Sequence, residues 1–221
     1  MRRLLLALFA LIVLTQASWA KTVATSFDPS ILDSSNQGYV VGDVWINTAT
    51  LNEFKAISVT PGAVVWRHVP RVMCASAVAV AAPLDTSEDV LATCSIAANA
   101  MGLNGALRIA PRYSYTNSGN NKTLRVRFSG AAGTVVFGPT RTTQLGEDAS
   151  IFVANRGATN SQVAGGLAGN DASTADGFAG STPAADTTAA TSVVLSCQKA
   201  TGAEACTLER YTVELIRPDI Q

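Results

Sequence analysis

The feature that most constrains the fold of this chain is a series of short runs in which apolar and polar side chains alternate. The clearest run is Leu124 to Phe128, in which Leu124, Val126 and Phe128 share one parity and two arginines take the other. A period of two places alternate side chains on opposite faces of a β-strand. No window beyond residue 20 has the period of an amphipathic helix. The pattern therefore predicts an all-β fold.

The runs divide the chain into a small part and a large part. Residues 38–69 hold short runs on either side of Thr60-Pro61-Gly62, which predicts a small β-meander of marginal stability on its own. Residues 72–217 hold many short runs between turn clusters, which predicts a jelly-roll-like antiparallel β-sandwich. Residues 21–37 are predicted to be a leader. Strands of the sandwich are expected at 107–113, 124–128, 134–137, 149–154, 191–197 and 206–216.

One long segment of the predicted sandwich has the composition of a loop. Residues 157–190 contain six glycines, many Ala, Ser and Thr, and no lysine or arginine. A loop of this length in a compact domain is usually functional or mobile. Since rigid scaffolds commonly present their binding surfaces on loops, we expect any recognition surface to lie here, at one end of the sandwich.

The composition excludes several classes of function. Only 14% of the residues are charged, and 16 lysines and arginines balance 16 aspartates and glutamates. Binding to nucleic acid or to an anionic membrane requires clustered positive charge, which this balance does not supply. Hydrophobic residues make up 48% of the chain but aromatic residues only 6%, so the core must be built largely from small side chains.

The first 20 residues have the layout of a secretory signal peptide. Arg2 and Arg3 precede an apolar run from Leu4 to Leu14, and Ala20 stands just before a predicted cleavage point at Lys21. The alternative is a membrane anchor, but eleven apolar residues are well short of the roughly 20 that span a bilayer as a helix. The sequence therefore predicts an exported protein with no membrane attachment after cleavage, located in the periplasm or outside the cell.

The four cysteines of the predicted mature chain are disulfide candidates. An even number of cysteines in an exported chain favours disulfides. Three pairings are possible, and Cys74–Cys94 with Cys197–Cys206 is the economical choice because each pair flanks an expected hairpin turn. Zinc binding would require closer Cys and His spacing than the sequence has. Unpaired buried thiols remain the alternative if the protein is not exported.

Residues for catalysis and for cofactors are sparse. His68 is the single histidine, no G-x-S-x-G segment supplies a nucleophile, and no phosphate-binding glycine loop occurs. We therefore expect no catalytic site, no cofactor and no metal, with His68 at a partly exposed position. The alternative is a glycoside hydrolase, for which two carboxylates must converge on the substrate. The adjacent acids Glu88-Asp89 and Glu147-Asp148 are the candidates for that role.

Four arginines on predicted strands suggest a second hypothesis about binding. Arg125 and Arg127 share a face of one strand, and Arg108 and Arg112 share a face of another. If these faces lay together, they would form a basic stripe for an acidic glycan. The alternative is a solvated sheet face in which each arginine is paired with a carboxylate.

The segment GYVVGDVWINTATLNEFKAISVTPGAVVWRHV (38–69) resembles a short module of tailed-bacteriophage tail fibres and other phage structural proteins. In that module a Gly-Tyr…Gly-Asp-x-Trp start and a Gly-Ala-x-x-Trp end bracket a small meander. The remainder, from about 72 to 217, resembles a phage virion β-sandwich domain, with matching segments at 86–109, 120–130, 153–163 and 207–216. The matching residues of the module are Gly38, Tyr39, Gly42, Asp43, Trp45, Gly62, Ala63 and Trp66.

The resemblance implies a non-enzymatic virion component, a tail fibre or a head appendage. Such a protein is expected to be a homo-trimer, to contact other virion proteins, and to bind a host surface or a glycan. The signal peptide and the cysteines depart from this pattern, because a virion protein assembled in the cytoplasm needs neither. The alternatives are an exported bacterial homologue, a bacterial carbohydrate-binding or adhesive module, and a secreted glycan-degrading enzyme.

Overall fold

The protein is described by a computed structural model that covers residues 19–170, 175–177 and 180–220. Of the predicted signal peptide, residues 1–20, the first 18 therefore lie outside the described residues. Within the described ranges the backbone forms sixteen β-strands and one short 3-10 turn at Ser35–Gln37, so the predicted all-β class is confirmed. No helix in these ranges is long and apolar enough to cross a membrane.

The strands are numbered in the order in which they follow one another along the chain. In order they are β1 (Thr22–Thr25), β2 (Val44–Asn47), β3 (Glu53–Thr60), β4 (Ala63–His68), β5 (Arg71–Ser76), β6 (Val80–Ala81), β7 (Glu88–Ile96), β8 (Ala106–Tyr115), β9 (Lys122–Phe128), β10 (Thr134–Phe137), β11 (Thr140–Arg141), β12 (Gly146–Asn155), β13 (Gln162–Asn170), β14 (Ala175–Gly177), β15 (Thr191–Lys199) and β16 (Cys206–Ile216).

The chain divides into two compact units. The small unit comprises the described residues of 19–48 together with 53–67 and 219–220. Its single sheet has the order β1-β2-β3-β4, and β1 pairs with β2 in parallel. Strand β1 lies within the stretch predicted as a leader, where four residues are too few to give a recognisable alternation. The hydrophobic core of this unit is formed by Trp45, Phe54, Ala56, Val64 and Trp66.

The large unit is a β-sandwich that comprises residues 49–52 and 68–218. One sheet has the order β10-β9-β15-β7, with β11 added beside β9. The other has the order β14-β13-β12-β8-β16-β5, with β6 added beside β16. The strand pairings within both sheets are antiparallel. The jelly-roll-like antiparallel sandwich is thus present as predicted.

Alternating side chains from the two sheets form the core of the sandwich. On β9, Leu124, Val126 and Phe128 are fully buried, as their shared parity predicts. Strand β8 contributes Leu107 and Ile109 from the facing sheet. Aliphatic side chains supply most of the buried volume, which agrees with the low aromatic content.

Both predicted disulfides are present, but neither lies across a hairpin. Cys74 on β5 is bonded to Cys94 on β7, and Cys197 on β15 is bonded to Cys206 on β16. Strands β5 and β16 belong to one sheet, whereas β7 and β15 belong to the other. Each disulfide therefore joins the two layers of the sandwich covalently, and the two bonds lie at separate positions along the strands.

The segment 157–190 is not a continuous loop, contrary to the sequence-based expectation. Residues Gln162–Asn170 form β13, which pairs with β12 over nine residues, and Ala175–Gly177 form the edge strand β14. Glycine and alanine give this segment little contrast between apolar and polar positions, so the period of two is hard to recognise. Among the described residues, the loops that remain are 156–161 and 180–190.

We expect reduction of the two disulfides to lower the free energy of unfolding by about 3 kcal/mol for each bond. Each bond limits the freedom of the unfolded chain, and closing a loop of about 15 residues contributes roughly 3 kcal/mol. The 20-residue separation of Cys74 and Cys94 should give a larger effect than the 9-residue separation of Cys197 and Cys206. Urea unfolding of the two double Cys→Ala variants measures this, and equal stability with and without reductant would contradict it.

Candidate functional site

The glycines of the phage-like motif occupy backbone positions that other residues rarely adopt. Gly38, Gly42 and Gly62 have φ angles of 77°, 98° and 80°. Gly38 ends the 3-10 turn in the left-handed conformation, and Gly62 closes the two-residue connection between β3 and β4. A side chain at such φ values is strained because its Cβ crowds the backbone. These glycines therefore shape turns of the small unit.

The remaining motif residues build the interior of the small unit. Asp43 is fully buried, and its carboxylate accepts hydrogen bonds from the backbone N–H groups of Lys21 at 2.7 Å and Val40 at 3.0 Å. The rings of Tyr39, Trp45 and Trp66 pack together with centroid distances of 5.5 to 5.8 Å. The Trp66 indole N–H donates to the carbonyl of Asp33 at 3.2 Å.

Ala63 is exposed at the start of β4, unlike the buried motif residues Asp43, Trp45 and Trp66. Its carbonyl accepts a hydrogen bond from Ser58 Oγ at 2.6 Å, and its side chain lines a surface groove beside Gly62. The eight motif residues are thus brought together as one structural module. Their contacts within the small unit are those of turns and packing.

The single histidine is buried rather than partly exposed. His68 has an exposed fraction of 3%, because it continues the parity of the buried side chains Val64 and Trp66 on β4. No group of three or more His, Cys, Asp or Glu side chains that could hold a metal ion occurs among the described residues.

The predicted basic stripe does not form, because the four arginines lie on different sheets. Arg125 and Arg127 lie on β9, whereas Arg108 and Arg112 lie on β8 in the facing sheet. Side chains of both pairs alternate with core residues, so they point to opposite outer faces of the sandwich. The alternative, that each arginine is paired with a carboxylate, is the observed arrangement.

Glu88 on β7 is the acceptor for both arginines of β9. Arg127 donates two hydrogen bonds to its carboxylate at 3.0 and 2.8 Å, Arg125 donates one at 3.0 Å, and Ser196 Oγ donates one at 2.6 Å. The hydrogen bonds from Arg127, assisted by Ser196 and the charge of Arg125, lower the pKa of Glu88 from 4.5 to about 2. The carboxylate of Glu88 is therefore ionised at neutral pH, whereas a general acid must carry a proton that it can donate.

The second pair of adjacent acids cannot converge on one substrate. Glu147 is fully buried and accepts two hydrogen bonds from Arg141 at 2.9 and 2.8 Å. Asp148 follows it on β12 and faces the other side of the sheet, where Arg112 donates to it at 2.6 Å. Neighbouring residues of a strand point to opposite faces, so adjacency in sequence separates these two carboxylates in space.

A groove crosses the outer face of the larger sheet, and its origin lies in the strand register. Ser150, Ala110 and Thr212 form a row of short side chains across β12, β8 and β16. A row of longer side chains lies on each side, with Phe152, Arg108 and Glu214 in one row and Asp148, Arg112 and Arg210 in the other. Rows two residues apart along a strand are separated by about 7 Å. The short row is therefore the floor of a groove between two walls.

The groove combines polar groups of both kinds with an exposed aromatic ring. It forms an open cavity of about 260 Å³ lined by Arg108, Ala110, Ser150, Thr212 and Glu214. Arg108 and Glu214 form an ion pair at one wall, which places donors beside acceptors. Phe152 is directly opposite Arg108 in the register and 43% exposed.

The hydroxyl groups on the floor of this groove have no partner within the part of the chain that the structure describes. Neither Ser150 Oγ nor Thr212 Oγ1 takes part in a hydrogen bond there. At the β13 end, Leu167 continues the floor beside Ser150 and is 61% exposed. Gly165, opposite Phe152, has open space where a Cβ would stand. The groove thus offers free hydroxyls next to uncovered apolar surface.

A second concave surface lies at the end of the sandwich where the predicted recognition loop begins and ends. An open cavity of about 440 Å³ is lined by 157–160, Leu103, Asp186 and Thr188. Both loop segments are exposed, yet the structure beneath them is fixed by side chains of buried polar residues.

Three buried polar residues hold that loop end in place. Asn155 Nδ2 donates to the Thr187 hydroxyl at 2.9 Å, and Thr187 Oγ1 donates in turn to the Thr159 carbonyl at 2.8 Å. Gln162 Nε2 donates to Asn155 Oδ1 at 2.8 Å, while Gln162 Oε1 accepts from the Ala185 N–H at 3.0 Å. A satisfied network of this kind favours one conformation, because breaking it leaves buried polar groups unpaired.

No protein-family model matches this chain, and no curated protein matches it. Several solved structures are similar in fold. The Lotus tetragonolobus seed lectin is 8% identical, with a TM-score of 0.35 over 66% of this chain and 92% of the lectin. The lectin UEA-II complexed with galactose is 11% identical, with a TM-score of 0.33 over 75% of this chain and 91% of that chain.

A viral protein is similar to the same degree. The structure of infectious bursal disease virus Gt strain is 15% identical, with a TM-score of 0.33 over 74% of this chain and 39% of the viral chain. This chain thus spans less than half of the viral one. All these TM-scores are low, so nothing about function follows from the likeness.

Replacement of Trp66 by alanine should destabilise the small unit by about 3–5 kcal/mol, the usual effect of removing a buried tryptophan. Its ring is fully buried against Trp45 and Tyr39. Urea unfolding followed by tryptophan fluorescence measures this change. Val41→Ala, at an exposed position of the same unit, is the control and should leave the transition in place.

The ion cluster at Glu88 should make stability depend on acid pH. The depressed pKa means that the contribution of Glu88 is fully present above its ordinary value of 4.5 and is lost as the pH falls towards about 2. The stability difference between the wild type and Glu88→Gln should therefore shrink over this interval. Urea unfolding at several pH values measures it, with the exposed Glu53→Gln as control. A difference that stays constant down to pH 2 would show that the cluster is not formed.

Proposed function

We propose that this chain is a non-enzymatic structural and binding protein, exported or carried on a virion, that recognises a glycan in the groove of its larger sheet. The observation that carries the proposal is the row of short side chains Ser150, Ala110 and Thr212 between the Arg108–Glu214 pair and Asp148, with Phe152 beside it. Its volume of about 260 Å³ is close to the lower end of ligand pockets, roughly 300 Å³.

The chemistry of the groove suits a sugar ring better than an apolar ligand. A sugar presents hydroxyl groups around its edge and C–H groups on its faces. Arg108 offers donors, Glu214 offers acceptors, and the free hydroxyls of Ser150 and Thr212 can do either. Phe152 provides an uncharged surface for the C–H face. Because the arginines of this face are paired with carboxylates, a neutral glycan is favoured over a strongly acidic one.

The placement of the carboxylates supports binding without hydrolysis. Asp148 is paired with Arg112 and Arg210, and Glu214 is paired with Arg108. A glycoside hydrolase needs two carboxyl groups that converge on the substrate, whereas each of these carboxylates is held in an ion pair at its own wall of the groove. We therefore propose a binding role for this face and no catalytic role.

The proposal that the protein is exported and the proposal that it is a virion component rest on different parts of the chain. Two disulfides are typical of proteins that leave the cytoplasm. The Gly-Tyr…Gly-Asp-x-Trp module resembles those of phage fibres, and its residues form a separate small unit with its own core. We propose that the small unit mediates association into a homo-trimer and contact with other virion proteins. The loop end held by Asn155 and Gln162 is a further surface for the host.

A glycan array with the mature protein tests the binding proposal. We expect neutral glycans to bind and Phe152→Ala to weaken that binding about 2- to 13-fold, the effect of about 0.5–1.5 kcal/mol from one aromatic contact. Ser150→Arg, which places a long side chain on the floor, should abolish binding. Product analysis of the same glycans should show no cleavage.

The control variant is Val90→Ala, because Val90 is similarly exposed on β7 of the opposite sheet. It should bind as the wild type does. Binding that survives Ser150→Arg would show that the groove is not the glycan site, and the loop end would then be the remaining surface. Release of a reducing sugar would overturn the non-enzymatic assignment.

A further inference from the structure

One edge of the small sheet already accepts an added strand. The backbone N–H of Trp66 on β4 donates to the carbonyl of Ile220 at 3.0 Å, and the N–H of Ile220 donates to the carbonyl of Trp66 at 2.9 Å. Ile220 packs on the core of the small unit, and Asp219 pairs with Arg67 at 3.2 Å. The outer edge of β4 therefore pairs with an additional backbone segment, and at Trp66 that segment is Ile220.

Along the rest of this edge, no other described residue pairs with the backbone of β4. Because backbone groups alternate along a strand, the N–H and C=O of Val64 point to the same edge as those of Trp66. A groove of about 450 Å³ is lined there by Ile31, Leu32 and the consecutive residues 62–65. Successive side chains of a strand point to opposite faces, so a groove lined by four in a row must run along the strand edge.

The chemistry of this groove selects an uncharged extended segment. Every side chain that lines it is apolar, and Ile31 and Leu32 are 53% and 71% exposed. An open edge with apolar surface beside it is a template for pairing with another chain. Its free length, from Gly62 to Val65, accommodates a strand of about four residues.

The opposite edge of the same sheet has matching properties. The carbonyls of Lys21 and Thr25 on the β1 side accept hydrogen bonds from Val44 and Thr48, so the backbone groups of Thr22 and Ala24 point away from β2. Strand β1 has four residues, Thr-Val-Ala-Thr, without charge. Phe27 follows it shortly after and is 60% exposed.

We propose that copies of this chain associate head to tail, with β1 of one copy adding to the open half of β4 of the next. Phe27 then supplies an apolar side chain to the groove at Ile31 and Leu32. This inference rests on the proposed assembly role of the small unit and names the two edges that carry it. Such an interface is heterologous, and it gives a closed ring when the rotation between copies closes.

Light scattering of the full mature chain, which begins at Lys21, tests the pairing. The wild type should have the mass of an oligomer, whereas Leu32→Glu should have the mass of a single chain, because a carboxylate in an apolar groove is not compensated. The matched control is Val41→Glu, at a position of the same unit that is 63% exposed and does not line the groove. It should keep the mass of the wild type.

A second variant approaches the interface from the other strand. Ala24→Pro removes the N–H that points away from β2, which an edge strand tolerates, and it should also give a single chain. Hydrogen exchange supplies a direct readout, since the amides of Ala24 and Val64 should exchange more slowly in the oligomer than in Leu32→Glu. Tryptophan fluorescence confirms that each variant retains the packed Trp45 and Trp66.

The possible outcomes separate the proposals. An oligomer that persists in both Leu32→Glu and Ala24→Pro, or Ala24 and Val64 amides that exchange at one rate in oligomer and monomer, overturns the edge pairing but leaves a homo-trimer possible through another surface. A wild-type protein that is monomeric at all concentrations overturns both the edge pairing and the homo-trimer. Glycan binding by the larger sheet is expected in every variant, so its loss would concern the groove at Ser150 alone.

Discussion

The packing of two antiparallel sheets against each other is the constraint on which the large unit depends. The sheets are built from short aliphatic side chains and contain few aromatic rings, so each buried residue contributes a modest area. Two disulfides, Cys74–Cys94 and Cys197–Cys206, join the layers covalently at two separate positions. With the layers fixed, their outer faces carry arginines, hydroxyls and glycines.

Most of the fold could be predicted from the sequence, because the period of two is a local property. The run Leu124 to Phe128 indicated both its strand and its buried face. Strand β13 was missed because alternation among Gly and Ala has little contrast. The disulfide pairs were predicted correctly for the wrong reason, since a sequence separation of 9 or 20 residues does not reveal whether a connection turns back or crosses between sheets.

The candidate site could not be predicted, because it arises from the register between distant strands. Ser150, Ala110 and Thr212 are unremarkable in sequence and become one row only when β12, β8 and β16 are aligned. The arginines were recognised as exposed, but their partners lie on other strands. Because these arginines form ion pairs with carboxylates, the outer face of the larger sheet carries both hydrogen-bond donors and acceptors and not a row of unpaired positive charges. The aromatic motif of the small unit is different, because its members lie close together in the chain.

The buried network beneath the loop end has a consequence for how this surface can change over time. Asn155, Gln162 and Thr187 point inward, and their partners are largely backbone carbonyls and N–H groups of the loops. Backbone partners are the same whatever side chain a loop residue carries. Side chains at exposed loop positions such as Asn160 and Thr188 can therefore be exchanged while the path of the loops is retained, whereas Gly157, with a φ angle of 71°, cannot be replaced without strain. In such an arrangement the buried network determines the path of the loops, and the exposed side chains determine what the surface binds. Binding specificity can therefore change by substitution of exposed side chains without destabilising the fold.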